Sequence, residues 1–392
     1  MNPAEVQNKT LNIAIFFAFI FLVITRHVDF FINPRFWAEE ATQYFFDAYS
    51  NGISAIWTAH KGYYSLTPSI AAYFSTKAPL ENAPLITTLF AFVVQAIPYY
   101  LVLISKSEFL NTSLKKLLVS MIILFVGNTP EIWLNSITSQ FHFIIIVFLL
   151  LIENKSVLSK AKKTLFYMLT LFAGLSGIPA NLLAPMFLYR YFQTKEKINL
   201  HLLGIFFLTS ITHIIFLLYA DRIHNIQSNI SYQVLGNILI NLFQYPIFYS
   251  VKINIDTVLT IPLLYIIIKH ISQVKYFEIF FGSAVFLGIF MILTSWGMHG
   301  GQRYTYASSV IFVLGLLSAM FDTSFSKITR FILLIYICIA LYNGAKHHQL
   351  IDGRFYSKKW STWHHQAILF KDKSIDKIIL CPPSWSIQLP RK

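Results

Sequence analysis

The sequence predicts an all-α polytopic membrane protein, and three observations predict it. Hydrophobic residues make up 56% of the 392 and charged residues 12%, against roughly 45–50% and 25% in an ordinary soluble domain. A soluble fold of this length cannot hide so much apolar surface and cover itself with so little charge. The apolar residues gather into about eleven runs of helix length, and the loops between them alternate between basic and non-basic. Together these exclude a plain cytosolic enzyme, a disordered chain and a nucleic-acid-binding protein. The excess of 31 Lys+Arg over 17 Asp+Glu, a net +14, then marks loops beside phosphate-bearing membrane lipids. Two cysteines, Cys338 and Cys381, supply neither a disulfide framework nor a Cys/His metal spacing.

The apolar runs lie at 11–24, 83–104, 114–126, 137–152, 165–175, 178–191, 200–220, 258–268, 277–294, 304–321 and 331–342. The first lacks a small-x-small cleavage site and is followed by many others, so it reads as a retained helix and not a signal peptide. One alternating set of loops carries Lys106, Lys115 and Lys116; Lys155, Lys160, Lys162 and Lys163; Arg190, Lys195 and Lys197; Lys269 and Lys275; Lys327 and Arg330. The positive-inside rule puts that set and the N-terminus in the cytoplasm. The other set faces outward: 26–82, 127–136, 174–179, 221–256, 295–303 and the tail from Gly344. The expected organisation is a transmembrane domain over 1–343, with a first external loop over 26–82, and an external tail over 344–392. In the tail, the alternating Lys377–Cys381 segment and Pro382-Pro383 suggest a strand and a cap.

The first external loop holds the most unusual chemistry. Asn33-Pro34-Arg35 can start a helix, with Asn as cap and Pro at the first position. Trp37, Ala41, Tyr44, Phe45 and Ala48 then share one face; Glu39, Glu40, Gln43 and Asp47 share the other. Gly52 offers a stop. Such a helix is expected to lie flat on the outer membrane surface. It places two carboxylates, Glu39 and Glu40, in the loop that also holds His60, Lys61 and Tyr63. A carboxylate beside a cation is the arrangement needed to take a proton from a hydroxyl while an anionic group departs.

An inside N-terminus, one span, a long external loop with early acids (Arg35-Phe36-Trp37-Ala38-Glu39-Glu40), a second external loop with Glu131 and many further spans resemble the GT-C superfamily of membrane glycosyltransferases. That resemblance implies a polyprenyl-phosphate sugar donor, a glycan or lipid acceptor, and an acid of the first external loop, Glu39 or Glu40, as catalytic base. It places the chain in a bacterial inner membrane, with the C-terminus in the periplasm. The Trp-Trp-Asp motif of oligosaccharyltransferases is absent.

Further polar groups gather at the same face. Glu131, Asn135, Gln140 and His142 stand at the mouth of a span and are too polar for a lipid-facing entry. They are candidates for sugar hydroxyls or, for Glu131 with a first-loop Glu, for a divalent cation, which has no spacing signature of its own. His299, Gln302, Arg303 and Tyr304 form another loop, in which Arg303 suits a lipid phosphate. His213 reads as a buried hydrogen-bonded residue, and the pairs His347-His348 and His364-His365 as solvated or incidental. The expectation is transfer of a sugar from a lipid-linked donor to lipopolysaccharide or another envelope glycan. The alternatives are a transporter or flippase of an anionic lipid or lipid-linked saccharide, disfavoured by spans nearly free of ionisable residues, and a polymerase or ligase of glycan chains, disfavoured because the longest external loop comes first.

Overall fold

The structure is a computed structural model that describes the chain except residues 1–2, 61, 128, 220–235, 237–239, 251, 272–276, 295–301, 349, 351–361, 381–383 and 392. It is 78% helical. Among the described residues the only sheet is one antiparallel pair, Ile378–Ile379 with Ser386–Ile387, in the tail. The predicted strand at Lys377–Cys381 is therefore present, two residues long.

Every apolar run falls on helix: Pro3–Ile24, Ala83–Ile104, Ser113–Phe125, Ser139–Ile152, Lys160–Leu175, Lys197–Tyr219, Ile255–His270, Phe277–Thr294, Tyr306–Phe321 and Lys327–Ala345, while the run at 178–191 is broken into Ile178–Asn181 and Ala184–Thr194. Pro at the start of both pieces favours the break, because it adds no backbone N–H to a continuing helix. Among the described residues, five helical segments are long and apolar enough to cross a membrane: Asn8–His27, Leu80–Ile104, Lys197–Tyr219, Arg303–Phe321 and Lys327–Ala345. The others are shorter than the roughly 20 residues a full crossing needs.

Burial separates a centre from a periphery. Ser139–Ile152 is buried on every side except at Gln140, and Tyr306–Phe321 is almost as enclosed. Protein surrounds these two, so their apolar residues form the core of the bundle with Ile122, Ile123, Phe280 and Leu287. The first span, Lys197–Tyr219 and Lys327–Ala345 instead expose large apolar side chains such as Phe17, Phe21, Phe207, Leu208 and Phe331. An apolar belt of that kind suits a lipid solvent.

The two ends of the bundle differ. At one end the first loop, the segment 129–138, Arg303 and the tail come together. At the other end lie Ser105, Lys106, Lys116, Glu153, Lys155 and Lys162.

Candidate active site

The first loop does not start its helix where the Asn33-Pro34 signal suggests. The Asn33 N–H donates to the carbonyl of Asp29 at 2.7 Å, so Asn33 closes the short helix Asp29–Ile32 and opens nothing. Helix resumes only after Trp37. It runs as a π-helical turn over Glu40–Phe45, continues as Phe46–Asn51 and stops at Gly52, whose φ of +66° needs a residue without a Cβ. Ala41, Tyr44, Phe45 and Ala48 are buried as their shared face requires. The opposite face departs from expectation, because Glu40 and Asp47 are buried as well.

Glu40 is buried because a distant segment claims it. Its carboxylate accepts from the backbone N–H of Trp37 at 3.1 Å and of Ser136 at 3.1 Å. It also accepts from the hydroxyl of Ser136, and Thr87 lies close by with its own hydroxyl donating to the Pro84 carbonyl at 2.9 Å. Burial pushes its carboxyl above the ordinary range, and the hydrogen bonds pull it partly back. The backbone at this junction is strained on both sides. Ala38 has φ +26° and Leu134 φ +53°, conformations that cost residues with a Cβ about 1–3 kcal/mol each. Leu134 is held by Gln95, whose amide oxygen accepts from the Leu134 N–H at 3.1 Å while its NH2 donates to Ile132 at 3.2 Å.

Glu39, one residue earlier, is only partly buried. It lies within electrostatic reach of Tyr44, Tyr63 and Arg303. Tyr63 is pushed above its usual pKa, chiefly by burial and then by Tyr304 and Glu39, and Gln140 lies beside it. Arg303 Nη1 stands 3.3 Å from Glu131 Oε2, a pair joined across 172 residues of sequence. Their side chains are 36% and 35% exposed, so the pair is open to whatever approaches the rim. The Arg303 guanidinium also sits 5.2 Å from the centre of the Tyr304 ring, which packs on Phe141 at 5.6 Å. Glu39, Tyr63, Glu131, Gln140, Arg303 and Tyr304, chosen from four separate stretches of sequence, therefore form one cluster.

His60 borders this cluster. Its Nε2 is 3.5 Å from Asp47 Oδ2 and its ring meets Tyr44 edge-on at 4.6 Å. Burial lowers its pKa, opposed by Asp47. Two other expected substrate groups are not at the rim. His142 is buried against Trp133 and Tyr306, with Nε2 3.0 Å from the Ile132 carbonyl. Asn135 is buried too, and its Oδ1 accepts from the Ile137 N–H at 3.0 Å. Both were conspicuous in sequence as polar groups at a span mouth; both serve to fold the segment 129–138. Lys61 and His299 lie outside the described residues, as does the side chain of Gln302, which opens the short helix Gln302–Thr305. Ser136, Thr87, Tyr44 and Asp47 carry no local signal that marks them for this site.

No protein-family model, curated protein or solved structure matches the chain. The chemistry of the site has to be read from its own geometry. Among the described residues no three His, Cys, Asp or Glu side chains gather as a metal site. The positive charge that two nearby carboxylates call for is present as the Arg303 guanidinium.

The tail braces this arrangement. Its helix Trp363–Lys371 packs with Phe36, Ala41, Phe45, Leu80 and Ala83, so it grips the residues on both sides of Glu39-Glu40. The Trp363 ring meets Phe36 at 4.9 Å and Phe45 at 6.3 Å, and its indole N–H donates to Leu80 at 2.7 Å. Lys371 pairs with Glu81 at 2.6 Å. The predicted histidine dyads divide: His347 stacks on Tyr249 and His348 touches Arg26, while His364 and His365 are exposed.

Proposed function

We propose that the chain is an integral membrane glycosyltransferase that moves a sugar from a polyprenyl-phosphate donor to an envelope glycan or lipid acceptor, with Glu39 as base. A single observation carries this reading: a partly open carboxylate, Glu39, lies within electrostatic reach of Arg303, which is itself partly open at the rim, and next to Glu40, which is fully engaged. In the proposed reaction Glu39 takes the proton of the acceptor hydroxyl. The oxygen attacks the anomeric carbon from the side opposite the phosphate, the bond to the phosphate oxygen breaks, and the configuration inverts. Arg303 stabilises the charge gathering on the departing lipid phosphate. Gln140 and Tyr63 are placed to hydrogen-bond sugar hydroxyls, and Glu131 holds Arg303 in position. Glu40 has a different part, fixing the loop to Ser136.

The resemblance to GT-C enzymes supplies the donor class and the orientation, with the rim on the periplasmic side of a bacterial inner membrane and about eleven segments embedded, the shorter ones wrapped by their neighbours. The test is transfer of radiolabelled hexose from polyprenyl phosphate to envelope acceptors in membranes containing the protein. Glu39→Gln is expected to lower the rate by about 10²–10⁴, the usual weight of a general base. Glu40→Gln is expected to lower the amount of folded protein more than the rate per folded molecule. Full transfer by Glu39→Gln removes the assignment.

A further inference from the structure

Arg26 lies in the single turn Thr25–His27 that ends the first helix, and none of its surface is exposed. Its Nη1 donates to the Leu124 carbonyl at 3.4 Å and lies 3.1 Å from His348 Nδ1. The guanidinium stacks 4.5 Å from the centre of the Trp133 ring. That leaves Nε and Nη2, two buried N–H donors with no partner. The Tyr99 hydroxyl, 1% exposed and within electrostatic reach of Arg26, has no partner either. Tyr306 and Tyr249, the other phenols around the guanidinium, donate to Ile123 and Phe125 at 2.9 and 2.6 Å. Burial and the neighbouring guanidinium hold the His348 pKa down at about 4, so His348 is neutral at physiological pH and adds no charge.

The unmet demand has a definite sign. Arginine offers donors only, and an uncompensated buried cation costs several kcal/mol. No carboxylate among the described residues pairs with Arg26. A water molecule would satisfy the donors and leave the charge, whereas an anion satisfies both. The surrounding Tyr99, Trp133, Tyr306 and Leu124 are themselves buried, which restricts the occupant to a small one. We infer that Arg26 Nε and Nη2, with the Tyr99 hydroxyl, bind a small monovalent anion of the halide class. Trp133 belongs to the segment that also carries Glu131 and Ser136, so the bound anion steadies the floor of the rim from behind. This inference stands on Arg26 and Tyr99 alone and is independent of any transferase reaction.

The experiment uses the full chain purified in detergent, with sodium chloride, bromide or gluconate compared at equal ionic strength. The unfolding midpoint, followed by tryptophan fluorescence, is expected to stay flat below the chloride dissociation constant and then to rise in proportion to the logarithm of the chloride concentration. Bromide should substitute for chloride and gluconate should not. Tyr99→Phe, which keeps the ring on Phe19, should move the onset of that rise to about tenfold higher chloride, the worth of one hydrogen bond to an ion, and Arg26→Gln should abolish the chloride effect. The same midpoint in chloride and gluconate for the natural chain overturns the inference, leaving ordered water at these donors. A chloride effect of unchanged affinity in Tyr99→Phe overturns it as well, and that variant decides the matter if Arg26→Gln does not fold.

Discussion

The two ends of the bundle handle charge in opposite ways. At the lysine-rich end three lysines are matched to helix ends: Lys116 donates to Leu103 at 2.7 Å, Lys162 to Ile104 at 3.0 Å and Lys155 to Leu151 at 3.0 Å. Those carbonyls close the helices Ala83–Ile104 and Ser139–Ile152, where the helix dipole favours positive charge. Glu153 is buried between them and takes the Ser105 hydroxyl and the Lys106 N–H. Ser105, Glu153 and Lys162 line a small cavity there, yet each is already hydrogen-bonded within the protein. At the rim, Glu39 stays partly exposed and the Glu131–Arg303 pair is a third exposed. Saturated charge holds helices in place; charge left partly open is available to a substrate. The contrast also separates neighbours, because Glu40 behaves like Glu153 and Glu39 does not.

The largest effect that sharpens this contrast is the loss of transfer in Glu39→Gln set against Glu153→Gln. The second is expected to lower stability by about 1–3 kcal/mol through its unpaired partners while each folded molecule keeps its rate. Equal losses of rate per folded molecule at both sites would erase the distinction between the two ends. Trp363→Ala comes next. Removing a buried indole costs about 3–5 kcal/mol, and here it should free the tail. Limited proteolysis would show faster cleavage after residue 344 and slower transfer, with Trp363→Phe recovering most of both. Arg303→Lys keeps the charge and loses the planar fork, so about a tenfold fall in transfer is expected, the worth of roughly one charge-assisted hydrogen bond. A variant as active as the natural chain would show that Arg303 acts by charge alone.

The smallest effect concerns pH. Because burial raises the Glu40 carboxyl in the folded state, the folded chain holds its proton more tightly than the unfolded chain. That stability is fully present below the unfolded value and is lost as pH rises through the folded one. Unfolding midpoints of the natural chain should therefore fall relative to Glu40→Gln as pH rises above the ordinary carboxyl range. A difference independent of pH would mean that Glu40 keeps its ordinary value.

Much of the fold was legible, because a span of apolar residues needs no distant partner to declare itself. The runs at 83–104 and 277–294 coincide with their helices to the residue. Gly52 stops its helix as its type suggests. The site was legible only as a set of residue types near one face. Asn33 looked like a helix start because its competing bond to Asp29 depends on how the preceding turn folds. Glu39 and Glu40 were indistinguishable, since what separates them, Ser136, lies 96 positions beyond Glu40 in the chain. His142 had the chemistry of a ligand, and the nearby Ile132 carbonyl occupies it. Arg303 and Glu131 were each suspect; their pairing is a fact of tertiary structure.

The clasp between Trp363 and Phe36 also orders events in time. The loop bearing Glu39 leaves the ribosome long before Trp363, the residue that braces it. A nascent chain can insert its helices one after another, yet the rim cannot reach its final shape until residue 363 has been made and carried to the same side of the membrane. A chain ended between Ala345 and Trp363 would thus carry every long apolar helix and lack the clasp on the Glu39 loop.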